Sequence, residues 1–179
     1  MLYLLRHAES TVSPEAPESD WPLSETGKKQ AEALVDRLAG CRIDAVYSSP
    51  YRRAVATVRP LAADRDLSIR SDDRLREREL TDRWLDDHMR ALRRVWADFT
   101  LTLPGGESST ECQRRVKEAL DDLRSRHDDD ERVLVSSHGN AIGLYLNCLD
   151  WSFGFEEWTE MANPALFAVR GDQWRRVET

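Results

Sequence analysis

Leu2-Tyr3-Leu4-Leu5-Arg6-His7 opens the chain, and Val133-Leu134-Val135-Ser136-Ser137-His138-Gly139 has the same form far downstream. In each, a short continuous apolar run stops at polar side chains capable of chemistry. Such runs, with no polar alternation, read as strands buried on both faces. Asp44 to Ser48 reads as another strand, and it too ends in a polar set, Ser48-Ser49 with Arg52-Arg53. In open parallel α/β sheets, ligands bind beyond the carboxyl ends of the strands. If these three strands are neighbours, His7, His138 and at least two arginines converge on one cleft.

Helical patterns separate the strands. Ser24 caps a helix to Ala39 in which Ala31, Leu34, Val35 and Leu38 recur at helical spacing, and Gly40 stops it. Ser49-Pro50 reads as the start of the next helix, and Pro60 as its end or a kink. Leu67 to Arg70 reads as a short strand. Trp84 to Phe99 reads as a helix with Leu85, Met89, Leu92 and Trp96 on one face. Ser108-Ser109-Thr110-Glu111 is a capping box opening a long helix through Val116, Leu120 and Leu123. Asn140 to Cys148 follows as a helix. Ala165 to Val169 and Gln173 to Val177 form a hairpin across Arg170-Gly171-Asp172. The class is α/β with a mainly parallel sheet and one late antiparallel piece. Asp128-Asp129-Asp130 reads as a solvated loop.

The 179 residues suit one domain. With 26 Lys and Arg against 33 Asp and Glu, the net charge is −7, which argues against a nucleic-acid partner. No apolar stretch approaches the roughly 20 residues a membrane span needs, so no membrane partner is expected. The opening apolar run is too short for a signal peptide. Cys41, Cys112 and Cys148 are scattered and odd in number, which suits reduced thiols in the cytoplasm. No zinc spacing is present. Nothing in the sequence speaks to oligomeric state.

A phosphoryl group fits the predicted cleft. Arginine presents a planar, permanently charged fork that pairs with phosphate oxygens. Histidine can serve as a nucleophile that splits one hard step into two. A helix starting after His138 would aim backbone N–H groups at the same anion. A single histidine at a strand end is usually a hydrogen-bonded structural residue, and a single Arg-Arg pair is usually a solvated helix face. Their recurrence at matching strand ends favours an anion cleft.

Leu4-Leu5-Arg6-His7-Ala8-Glu9-Ser10 resembles the Arg-His-Gly signature of the histidine phosphatase superfamily, the phosphoglycerate mutase-like family. Pro22-Leu23-Ser24-Glu25-Thr26-Gly27-Lys28-Lys29-Gln30-Ala31, Ser48-Ser49-Pro50-Tyr51-Arg52-Arg53-Ala54, Leu75-Arg76-Glu77, Pro104-Gly105-Gly106-Glu107-Ser108 and Val133 to Gly139 match further motifs in the same order. The resemblance implies a three-layer α/β/α fold over residues 1–179, with a small cap or insertion at about 78–107. It implies a metal-independent phosphatase that needs no cofactor and acts on a small phosphorylated metabolite through a phosphohistidine. His7 would be the nucleophile. Arg6, Arg53 and His138 would hold the phosphoryl oxygens, and Glu77 would be the proton donor, with Glu79 second in line. Ser10, Thr11, Trp21, Arg83 and Gly139 are candidates for substrate contacts. A cationic, aromatic wall built from Arg83, Trp84, His88, Arg90, Arg93, Arg94 and Trp96 competes with an ordinary amphipathic helix. Ala8 stands where the family usually has glycine. Arg78-Glu79-Leu80-Thr81-Asp82 lacks the glycine and the acidic-glycine pair of many members. A phosphoglycerate-type phosphomutase is the second expectation, disfavoured because such mutases are usually longer. A non-catalytic module that binds phosphate or phosphoproteins is the third.

Overall fold

The computed structural model describes residues 1–177. Its strands are β1 (Leu2–Arg6), β2 (Ala45–Ser48), β3 (Ile69–Ser71), β4 (Val133–Ser137), β5 (Ala165–Arg170) and β6 (Gln173–Val177). Its helices are α1 (Glu25–Arg37), α2 (Arg52–Asp64), α3 (His88–Ala97), α4 (Ser109–Arg126), α5 (Gly139–Leu149) and α6 (Phe155–Thr159), with 3₁₀ turns at Glu18–Asp20 and Asp73–Leu75.

One sheet runs in the order β3-β2-β4-β1-β5-β6. The first four strands are parallel, and β5 and β6 are antiparallel additions. Each inner strand is almost wholly buried because helices cover both faces, as its continuous apolar run requires. Side chains of β1 alternate between two cores. Leu2 and Leu4 join residues of α3, α4 and α5, while Tyr3 and Leu5 join residues of α1 and α2. The result is the expected three layers. Leu5, Leu34, Leu61 and Leu134 are fully enclosed on the α1/α2 side, and each contributes about 2 kcal/mol of burial.

Register then sets the site. Arg6 pairs with Ser137 across β1 and β4, and Ser48 pairs with Ser136 across β2 and β4. The three strands that end in polar residues therefore end level and side by side.

Several helix boundaries differ from expectation. Ser49 and Pro50 do not open α2. Tyr51 takes the N-cap place with no side-chain cap, and the Ser49 hydroxyl accepts from the Tyr51 N–H at 3.2 Å while lying 2.7 Å from His138 Nε2. Pro60 does not end α2, which continues to Asp64. Val58, Leu61 and Ala62 are buried around it, and that packing offsets the roughly 3 kcal/mol an interior proline costs. The helix expected from Trp84 begins only at His88, where Asp87 caps it by accepting from the Arg90 N–H at 2.9 Å. Its buried face is Ala91, Leu92, Val95 and Trp96, while Trp84 and Met89 are exposed. The capping box at Ser108 and Glu111 forms as expected, as do the exposed loop at Asp128–Asp130 and three unpaired cysteines. Among the described residues no helix is long and apolar enough to cross a membrane.

Gly27 fixes how α1 meets the segment after His7. A Cβ at Gly27 would overlap the Glu9 carbonyl oxygen, which accepts from the Ser24 N–H at 3.0 Å. Gly27→Ala is therefore expected to cost about 1–3 kcal/mol by overpacking. Urea unfolding measures this, and an unchanged midpoint would contradict the close approach.

Candidate active site

His7 follows β1 directly, and its N–H still bonds to the Ser137 carbonyl at 3.0 Å, as if the strand ran one residue further. That bond fixes the backbone, and the side chain is fixed separately. The imidazole Nδ1 donates to the Ala8 carbonyl at 2.7 Å, which leaves Nε2 as the acceptor nitrogen. Arg53 Nε donates to that Nε2 at 3.1 Å. His138, at the N-cap of α5, places its ring 5.1 Å from that of His7, and its Nε2 lies 2.7 Å from the Ser49 hydroxyl. Its Nδ1 has no partner among the described residues.

Burial decides the protonation of both rings. His7 is pushed down to about 3, first by burial and then by the Arg53 charge. His138, wholly enclosed, is pushed well below its ordinary value by burial, then by Arg53 and His7. Both imidazoles are neutral at physiological pH, so His7 Nε2 carries a nucleophilic lone pair, which here accepts from the Arg53 Nε–H.

Arg53 is only 2% exposed. It is flanked by Tyr51 at 5.1 Å and Trp21 at 5.5 Å from its guanidinium carbon. Those ring faces replace part of the hydration that burial removes. Its terminal nitrogens donate to the Glu18 carbonyl and to the Glu18 carboxylate, each at 2.6 Å. Arg6 donates through Nη1 to the Met161 carbonyl and leaves Nε unpartnered among the described residues. Burial lowers its pKa and the Glu77 charge raises it. Gly139 makes the arrangement possible. A Cβ there would lie only 3.2 Å from the Arg6 guanidinium and from Trp158 Nε1.

Glu77 leans on the N-terminus of α5. Its Oε1 accepts from the N–H groups of Arg78 at 2.8 Å and Ala141 at 3.1 Å, and its Oε2 from Asn140 at 3.2 Å. The positive end of the helix and its free N–H groups orient the carboxylate at the edge of the cluster. Arg78, after the atypical break in the motif, is buried and donates to the Glu107 carbonyl, tying the Glu77 segment to the α4 entry. Ala8 is fully buried without a positive φ, so its methyl group is compatible with the backbone, and its N–H donates to Thr57.

Five expected residues, Arg6, His7, Arg53, Glu77 and His138, thus meet. Gly139 lines the same place. Trp21 stands behind Arg53, and its indole N–H is spent on the Ser13 and Ala16 carbonyls at 2.9 and 3.1 Å. Ser10 and Thr11 pair through their backbones with Leu23 and Pro22, which shapes the loop. Arg83 is not brought in. Its side chain is exposed and lies against Asp82, because the chain at 81–87 is not helical and turns it outward. Glu79 is exposed, while the chain around it is fastened to Glu107. The amphipathic-helix reading describes α3 better than a cationic wall: Trp96 is core and donates to Asn140 at 3.1 Å, and Arg93 stacks on Phe155 at 4.7 Å. Glu18, Trp158 and Asn163 are at the site without having been foreseen. Asn163 holds the His7 carbonyl at 2.8 Å. Only general cues existed for them: an Asn-Pro turn before β5 and a tryptophan between strands.

The family model described as histidine phosphatase superfamily (branch 1) matches residues 2–177. The chain belongs to that superfamily. Phosphoserine phosphatase 1 of Hydrogenobacter thermophilus is 32% identical over 171 residues, covering 86% of this chain and 81% of the relative. A protein named probable phosphoglycerate mutase GpmB, from Yersinia pestis, is 32% identical over 159 residues, covering 83% and 74%. Among solved structures, a mycobacterial glucosyl-3-phosphoglycerate phosphatase complexed with VO3 superposes with a TM-score of 0.78 at 26% identity, covering 98% of this histidine phosphatase and 96% of that chain. YhfR of Bacillus stearothermophilus gives 0.75 at 26%, covering 98% and 94%.

The depressed histidines make stability depend on pH. In the unfolded chain each titrates near 6.5. Below that pH the unfolded state takes up protons that folded His7 refuses until about 3. The stability present above pH 6.5 is therefore lost as pH falls, by about 1.4 kcal/mol per pH unit per histidine. Urea unfolding at pH 7, 6 and 5 is expected to show a shallower loss for His7→Asn than for the unsubstituted protein. Parallel losses would mean that His7 is charged in the fold.

Proposed function

We propose that this histidine phosphatase hydrolyses a small phosphorylated metabolite by way of a phosphohistidine at His7. The observation that carries the reading is the neutral Nε2 lone pair of His7, held 3.1 Å from a buried Arg53 N–H. A nucleophile and an oxyanion clamp share one spot, closed in by His138 and Arg6. In the first step Nε2 attacks phosphorus and the P–N bond forms as the P–O bond to the leaving group breaks. The leaving oxygen takes a proton from Glu77, and the guanidinium groups at 6 and 53 stabilise the charge on the transferring oxygens. In the second step water attacks phosphorus, gives its proton to the Glu77 carboxylate, and the P–N bond breaks. His7 is regenerated with inorganic phosphate, and Glu77 is a carboxylic acid again. Nδ1–H, fixed on the Ala8 carbonyl, stabilises the ring as charge develops on it.

Residues 78–107 are read as the cover over this site. The substrates named for the relatives, phosphoserine and glucosyl-3-phosphoglycerate, head the panel to be screened. A net charge of −7 speaks against nucleic acid, and three unpaired cysteines suit the cytoplasm. Mutase activity is the second reading, favoured by the GpmB relative. Binding without turnover would need neither a free nucleophile nor a carboxyl beside it.

His7→Ala is expected to abolish phosphate release from p-nitrophenyl phosphate, and acid quenching should find no acid-stable phosphoenzyme in the unsubstituted protein. Retained hydrolysis in the variant removes His7 as nucleophile. Glu77→Gln should cut kcat on alkyl phosphates by about 10²-fold or more. It should cut kcat far less on p-nitrophenyl phosphate, whose leaving group needs little protonation. Equal losses on both would argue for a positioning role only.

A further inference from the structure

Arg53 is the group assigned to grip a phosphoryl oxygen, yet each of its three nitrogens already has an acceptor. Nη2 meets the Glu18 carboxylate and Nη1 the Glu18 carbonyl, both at 2.6 Å, while Nε meets the nucleophilic nitrogen of His7. The Arg53 side chain is 3% exposed and that of Glu18 39%, so the carboxylate reaches the buried cation from the rim. One carboxylate oxygen of Glu18 and its backbone carbonyl together occupy the two Nη positions that a phosphoryl group would take, and the carboxylate brings negative charge as phosphate does. The lone pair that must meet phosphorus is meanwhile stopped by the Arg53 Nε–H.

The segment carrying Glu18 is built to deliver it. Trp21 Nε1 pins the Ser13 and Ala16 carbonyls, and the Glu18–Asp20 turn is closed by the Asp20 N–H on the Pro17 carbonyl at 2.9 Å. Trp21 itself packs against the guanidinium that Glu18 binds. Glu77, Glu79 and Tyr51 also act electrostatically on Glu18 or share its surroundings, and Arg53 is the only cation paired with it among the described residues.

We propose that Glu18 is an internal occupant of the phosphoryl subsite, a tethered carboxylate that incoming phosphate must displace before Arg53 and His7 can act. The inference rests on assigning Arg53 to that subsite. Because the competitor is part of the chain, it is present at a fixed effective concentration and weakens every anion alike. Anions that grip arginine weakly, such as metabolite carboxylates and singly charged esters, then fall out of range. A phosphomonoester dianion retains useful affinity. The product, inorganic phosphate, is driven off when Glu18 returns.

The test is calorimetric titration of inorganic phosphate into the unsubstituted protein and Glu18→Gln, with Glu18→Ala as a second variant. If the carboxylate holds Arg53 about nine-tenths of the time, its removal should tighten phosphate binding about tenfold. The phosphate Ki and the KM for p-nitrophenyl phosphate should fall by a similar factor. Unchanged or weaker phosphate binding in both variants overturns the proposal, because a residue that merely holds Arg53 in place would weaken the site when removed. Binding does not depend on turnover. Tighter phosphate binding in a protein that hydrolyses nothing upholds the occupant and defeats the proposed hydrolysis. Hydrolysis by His7 with unchanged phosphate affinity does the reverse.

Discussion

The parallel pairing of β1 with β4 places His7 beside His138, and the rest of the site is assembled around that pair. The chain separates these residues by more than a hundred positions, and only the ladder from Leu2–Val133 to Arg6–Ser137 closes that distance. The His7 N–H then adds one more bond to the Ser137 carbonyl. A slip of one residue would turn Leu4 and Leu5 to the wrong cores and take His7 out of reach of Arg53. The two hydrophobic layers therefore enforce the geometry of the side chains gathered at the strand ends.

That geometry gathers costly groups. Two arginines and two histidines lie together with little water, and burying a charge without partners is expensive. The protein manages the cost in two ways. The histidines stay neutral, which is also what nucleophilic attack needs. The arginines find acceptors, Arg6 at Met161 and Arg53 at Glu18, and Arg53 is further enclosed by the faces of Tyr51 and Trp21. Glu77 is held by the N–H groups of Arg78, Asn140 and Ala141, which orient its carboxyl at the edge of the cluster.

Resting stability and readiness for an anion thus oppose each other at Arg53. A site with strong, unpaired anion donors would be unstable when empty and hard to clear when full. An internal carboxylate moderates both, and it sits on a short turn outside the sheet.

The sequence by itself determined the α/β class, the buried strands and the polar residues that follow them, Arg6, His7, His138 and the Arg52-Arg53 pair, because uninterrupted apolar runs and the polar residues after them are local signals, whereas Glu77 was legible only through the family's motifs. Matching the family's motifs added the choice of Arg53 over Arg52. Tertiary structure alone decided the rest. Pro60 lies within α2 because packing outweighs a missing hydrogen bond. Ser49 serves His138 instead of capping a helix, since a hydroxyl goes to the partner that folding brings near. Arg83 faces solvent, while Glu18, in a loop with no periodicity, reaches the centre of the site. Long-range pairing of a buried cation selects its partner by distance in space, and no spacing along the chain encodes that distance.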